Sequence, residues 1–177
     1  MQELFYSALD IAIIVSCMQL GCREESKVLD SIWKGEKEFL ESQYRENQRK
    51  FLLDVYYWIQ YLENKSDIDK ELPAIEKDIE GCKRDLQVGE LTSNFSDLDL
   101  FFKSIRIQIL YGKGNAYVRM KLRTLLEQYG YRRRSKVLLQ YVDQCMTFYR
   151  LEATLRGGVQ CSVEKVPLNQ MLVFRVK

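Results

Sequence analysis

The stretch Leu122–Lys136, LRTLLEQYGYRRRSK, decides how this chain is read. Leu122, Leu125, Leu126 and Tyr129 fall at i, i+3, i+4 and i+7, which lays one apolar stripe along a short helix. Gly130 follows, the residue type that most readily ends a helix. Beyond Tyr131-Arg132-Arg133-Arg134-Ser135-Lys136, the apolar positions Val137, Leu138, Tyr141, Val142, Cys145, Phe148 and Leu151 predict a second helix from about Arg133 to Leu151. Its polar side carries Lys136, Gln140, Asp143, Gln144 and Thr147. The stretch therefore predicts a short helix, a tight glycine-containing turn, and a second helix with cations crowded at its N-terminal end.

Charge gives that arrangement its setting. Residues 1–96 carry 12 Lys or Arg against 19 Asp or Glu, net −7, and residues 97–177 carry 15 against 6, net +9, within an overall +2. Ten basic residues and one acid, Glu127, lie between Lys103 and Lys136. A segment that basic repels itself unless a polyanion or an acidic surface compensates, so the expected partner is nucleic acid.

The flanks of the decisive stretch are expected to be β. Ile105, Ile107 and Ile109 alternate with Arg106 and Gln108, and Val118, Met120 and Leu122 alternate with Tyr117, Arg119 and Lys121, on either side of Gly112-Lys113-Gly114-Asn115. Period two about a glycine-rich turn predicts a hairpin with one basic face. A helix through Tyr111 stays open, because Phe101, Ile105 and Ile109 also fit a period of 3.6. Before it, Ser96 with Asp97 and Asp99 is a helix-start signal for a short helix burying Leu98, Phe101 and Phe102, and capping accounts for Asp97 and Asp99 better than metal binding does. After the second helix, Ala153–Arg156 and Val159–Lys165 flank a two-residue Gly157-Gly158 turn, and Met171–Val176 returns after Pro167-Leu168-Asn169.

Over residues 97–177 this series resembles the winged-helix variant of the helix-turn-helix DNA-binding proteins, at the level of fold and without a family-specific motif. The resemblance implies that the second helix of the turn motif reads duplex DNA through Arg133, Arg134, Lys136 and Gln140, and that Arg156 on the hairpin wing touches the backbone. Arg132 belongs to the same cationic cluster, and Lys113, Arg119, Lys121 and Arg123 are expected to hold phosphates.

The acidic half predicts helices. Leu4–Leu20 is apolar, but Glu3 and Asp10 and its shortness favour a buried amphipathic helix over a signal or membrane anchor. A short helix is expected near residues 24–34 and a long one from 36 to 64, in which Tyr44, Gln48, Phe51, Val55, Trp58 and Leu62 follow coiled-coil spacing. A second apolar series, Ile68, Leu72, Ile75, Ile79, Cys82 and Leu86, predicts an antiparallel partner. The expected fold is thus mixed. An all-α helical hairpin or bundle over 1–88 serves dimerisation or docking through 36–88, a linker covers 89–96, and a small α+β winged-helix-like domain covers 97–177.

The sequence holds no histidine, which removes Ser-His-Asp and Cys-His nucleophilic sites, His-zinc sites and imidazole bases together. Neither a catalytic residue, a metal nor a cofactor is expected. Five widely spaced cysteines, Cys17, Cys22, Cys82, Cys145 and Cys161, predict reduced thiols in a cytoplasmic protein, mostly packed as small hydrophobes. The leading expectation is a non-enzymatic protein binding duplex DNA. Two alternatives stay open: RNA or single-strand binding, with Tyr111, Tyr117, Tyr129 and Tyr131 stacking on bases, and a structural subunit whose basic half docks on an acidic protein.

Overall fold

A computed structural model describes residues 4–63, 96–128, 131 and 134–177. Their fold is mixed, with seven α-helices and one three-stranded antiparallel sheet among the described residues. The chain divides into two compact units, Met1–Ser96 and Asp97–Lys177. The helix expected over 68–86 and the linker before Ser96 lie outside the described residues.

In the first unit, α1 (Ala8–Cys17) is started by a reciprocal cap: Asp10 N–H donates to Ser7 Oγ at 3.1 Å, and Ser7 N–H donates to Asp10 Oδ2 at 2.9 Å. Its buried Ala8, Ile11, Ala12, Ile14 and Val15 make it a core helix, packed along α4 (Gln48–Glu63). No helix among the described residues is long and apolar enough to cross a membrane. The short helix is α2 (Cys22–Gly35).

The single long helix expected over 36–64 is instead three pieces: a 3₁₀ turn at Lys37–Phe39, a helical turn α3 (Ser42–Arg45), and α4. The break is a backbone exchange with the N-terminus. Tyr6 N–H donates to Phe39 O at 2.7 Å and Glu41 N–H to Tyr6 O at 3.1 Å, which holds Leu40 extended. The chain re-enters a helix at Asn47, whose Oδ1 accepts from Lys50 N–H at 3.0 Å. The coiled-coil seam is corrected accordingly. Tyr44 stands in α3, the buried face of α4 is Phe51, Val55, Ile59 and Tyr61, Trp58 is half-buried, and Leu62 is 40% exposed.

In the second unit, α5 (Ser96–Tyr111) replaces the first strand of the expected hairpin. Alternation misled there because Leu98, Phe101, Phe102, Ile105 and Ile107 are all buried, so the helix meets protein on more than one side. Gly112 follows, where a Cβ would collide with the Gln108 carbonyl oxygen. Strand β1 (Val118–Lys121) then pairs with β3 (Met171–Val176), and not with its sequence neighbour. Strand β2 (Leu151–Thr154) lies on the other side of β3, giving the order β1-β3-β2. Between β1 and β2 come α6 (Leu122–Gln128) and α7 (Lys136–Phe148). Helix α7 is shorter than the expected 133–151 because Arg150 adopts a left-handed φ of 50° and turns the chain into β2.

Between β2 and β3, Leu155 N–H donates to Val159 O at 2.8 Å, closing a three-residue loop, Arg156–Gly158, one residue longer than expected. Gly157 and Gly158 sit at φ 96° and 83°. The strand expected over 159–165 reduces to one bridge, Gln160 to Thr154.

A buried ionic cluster joins α5 to the end of α7. Asp99 Oδ2 lies 2.9 Å from Lys103 Nζ, with the two side chains 7% and 6% exposed, and Tyr149 Oη donates to Asp99 Oδ1 at 2.8 Å. Arg106 Nη1 donates to Tyr149 O at 2.8 Å. Asp99 therefore holds α5 against α7, where capping was the expected role. Lys103→Met removes the cation paired with the Asp99 carboxylate, and breaking a buried pair by removing one partner costs about 3–5 kcal/mol. A smaller loss is expected for Asp99→Asn/Lys103→Met. Urea unfolding of both variants checks this, and a single variant no less stable than the double would show that the pair does not hold the fold.

Candidate nucleic-acid interface

Ser135 fixes where α7 begins. Its Oγ accepts from Leu138 N–H at 3.1 Å, and its extended backbone (φ −91°, ψ 154°) is that of an N-cap. From that start, Leu138, Leu139, Val142 and Cys145 turn inward, and Lys136, Val137 and Gln140 are exposed. Val137 was expected on the apolar side and is 51% exposed. One end of α7 thus presents a cation, an amide side chain and the positive end of the helix dipole to solvent.

The predicted binding residues that are described stand on several different elements. Lys113 is exposed in the loop after α5, and Arg123 is exposed in the first turn of α6, where its backbone N–H donates to Leu168 O at 2.7 Å. Arg119 and Lys121 are exposed on β1, facing Val173 and Met171 across the ladder, so both project from the same side of the sheet. Arg156 is exposed in the loop of the β2 hairpin. Arg132 and Arg133 lie outside the described residues.

Arg134 has a structural task. Its Nη1 donates to Val166 O at 2.6 Å and to Glu164 O at 3.1 Å, tying the approach to α7 onto the stretch between the hairpin and β3. A guanidinium that fixes two carbonyls is a strut between the start of α7 and that stretch, and only its remaining donors can reach a ligand.

Two further cations are withdrawn from the surface, Lys103 and Arg106, 5% and 6% exposed. One that sequence reasoning missed joins it: Arg175 on β3, whose Nη1 donates to Thr154 Oγ1 at 3.1 Å. The signal was available, since Met171, Val173 and Arg175 share a face by alternation, but this arginine lies outside the dense basic run. The guanidinium carbon of Arg119 lies 4.6 Å from the centre of the Tyr117 ring and that of Arg175 lies 5.8 Å from it.

Two thiols are shielded by burial. Burial raises the Cys145 thiol above its ordinary range, with the charge of Asp99 adding to it, and burial likewise raises Cys161. Cys17 and Cys22 are exposed, contrary to the expectation that most cysteines pack inside, and Cys145 is buried as expected. No group of three metal-ligating side chains is present among the described residues.

Arg134→Ala should loosen the stretch it ties down, accelerating tryptic cleavage after Lys165, and should lower stability by about 1 kcal/mol, a typical value for lost hydrogen bonds at a partly exposed site. Cleavage at Lys165 no faster than in the parent protein would remove the strut role. The chain matches no protein-family model, no curated protein and no solved structure.

Proposed function

We propose that residues 97–177 form a winged-helix domain that binds duplex DNA without catalysing a reaction, and that the acidic half serves docking or dimerisation. One observation carries the reading: the order α5-β1-α6-α7-β2-β3, with sheet order β1-β3-β2, brings the exposed N-terminal turn of α7 together with a hairpin following β2 in one unit. That order supports the winged-helix reading, in which the helix after the turn enters the major groove and the hairpin lies along the backbone.

Lys136 and Gln140, one turn apart on α7, are the candidate base-reading pair, with Arg133 just before the helix. Lys113, Lys121, Arg123 and Arg156 are the candidate phosphate contacts. Arg134 contributes by holding the turn. The single-strand reading loses support at Tyr117, whose ring already carries two guanidiniums and is half-buried. Docking of the basic half on an acidic protein is an outcome that the following titration separates.

Fluorescence anisotropy with a labelled 20-base-pair duplex, repeated between 50 and 200 mM salt, tests the assignment. For four phosphate contacts, counterion release predicts an affinity drop of about 100-fold across that range. Lys136→Glu/Gln140→Glu should reduce affinity at least tenfold with unchanged melting temperature. Equal affinity for single-stranded DNA or RNA of the same length would favour the stacking reading. Unchanged duplex affinity in the double variant would remove α7 from the interface.

A further inference from the structure

We propose that the outer face of the sheet holds a second anion site, an arginine recess that takes a phosphomonoester group. It does not rest on the duplex reading, and none of its lining residues belongs to α6 or α7. The recess has a volume of about 450 Å³ and is walled by the guanidinium-bearing Arg119, Arg156 and Arg175.

Its construction follows from the ladder. Arg119 on β1 and Thr154 on β2 both face Val173 of β3, so the three residues lie in one row on one side of the sheet. Phe174, one residue along, belongs to the opposite side, where the Phe101 and Phe102 rings stand 6.0 and 6.3 Å from its own. The recess therefore opens on the face away from α5. Val173 is buried beneath it, and Leu155 and Met171 add apolar surface.

Two of the three guanidiniums are positioned before any ligand arrives. Arg119 rests over the Tyr117 ring, and Arg175 is held by Thr154 Oγ1 and lies near that same ring. A guanidinium has five N–H donors in a fixed plane, so an arginine anchored through one of them keeps others for a ligand. Gly157 and Gly158 line the recess and present no side chain to block it.

Charge makes the choice of ligand. The lining contains three cations and no carboxylate. Glu152, which faces Arg175 across the ladder, lines a different hollow beside Asp143 and Cys161. Among the described residues, no carboxylate makes an ion pair with Arg119, Arg156 or Arg175. Converging guanidiniums suit the planar, bidentate approach of phosphate oxygens. A phosphomonoester brings close to two negative charges and a single substituent, so it can enter a recess. A diester within a duplex brings one charge and a chain on both sides. The apolar floor can take the substituent, which is the usual composition of a small-molecule site.

The same chemistry can come from a free phosphorylated small molecule or from the 5′-phosphate end of a nucleic acid, and the experiment separates them. The full-length protein is titrated with inorganic phosphate and with adenosine monophosphate at constant ionic strength, following the Gly157 and Gly158 amide signals and the arginine Nε–H signals by NMR. Saturable shifts at those groups are expected, at least tenfold weaker in Arg119→Gln and in Arg175→Gln, and unaltered in Lys136→Glu. Tighter binding of a 5′-phosphorylated duplex than of its 5′-hydroxyl counterpart, lost in Arg119→Gln, would identify a nucleic-acid end as the source. Equal binding of the two duplexes with retained adenosine monophosphate binding would identify a free ligand. Shifts that fail to saturate, or that survive in both arginine variants, overturn the proposal. Lys136 does not line the recess, and Arg119 and Arg175 are not among the proposed duplex contacts, so failure of either site is visible without the other even though Arg156 is shared.

Discussion

Asp99 is where the second unit is tied together. Its two carboxylate oxygens meet Lys103 one turn along α5 and the hydroxyl of Tyr149 at the end of α7, while Arg106 reaches the Tyr149 carbonyl. Charges that deep are a poor source of net stability, because desolvation offsets most of their attraction, but misplacing any partner is costly. The cluster therefore works as a positional lock. It places the last residue before the left-handed Arg150, hence the point at which β2 leaves the helix, and Lys177 N–H closes the same corner by donating to Arg150 O at 2.8 Å. Phe101 and Phe102, between the two ends of the ion pair, pack edge-on against Phe174 of the central strand. One carboxylate thus links the placement of helix, sheet and turn.

That lock changes the meaning of the charge asymmetry. The net +9 of residues 97–177 reads as a single polyanion surface until the cations are followed individually. Lys103 is neutralised internally, Arg106 holds a carbonyl inside the fold, and Arg134 fastens an irregular stretch. Of the other described cations, Lys113, Arg123 and Lys136 lie on or beside helices, Arg119, Lys121, Arg156 and Arg175 on or beside the sheet strands, and Arg150, Lys165 and Lys177 elsewhere in the unit. Composition counts charge without reporting direction, and only direction separates a structural cation from a binding one.

The parts legible in the sequence were those where one local rule acts alone. Met171–Val176 forms a strand with the predicted bounds, Ser96 begins a helix, and the apolar positions Leu122, Leu125 and Leu126 are buried together. The illegible parts depended on distant residues. Ile105 and Ile107 looked like a strand because their helix is buried on several sides, and the 3.6 period of Phe101, Ile105 and Ile109 was the signal for the helix that forms. The helix expected over 36–64 breaks because Tyr6, more than thirty residues upstream, pairs with Phe39 and Glu41. Of the candidate site, the cluster beside α7 was visible as a basic run. Arg175 was not, because it joins Arg119 through strand pairing across more than fifty residues.

The two proposed anion surfaces are supported by different mechanical elements, which has consequences for how each can be used. Lys136 and Gln140 stand on a helix whose start depends on the Ser135 cap and on the Arg134 strut, both at the edge of a turn. Arg119 and Arg175 stand on neighbouring strands, and β3 is hydrogen-bonded on both sides, so its residues cannot slip by one without exchanging Phe174 for Val173 in the core. Arg119 and Arg175 are thus placed by strand register, while Arg156 stands on the loop between the strands. Preorganisation of that kind favours selection of one small group by shape and charge. On the proposed reading, the exposed start of α7 would meet the extended, repeating backbone of a duplex, and the strand-held arginines a single phosphate.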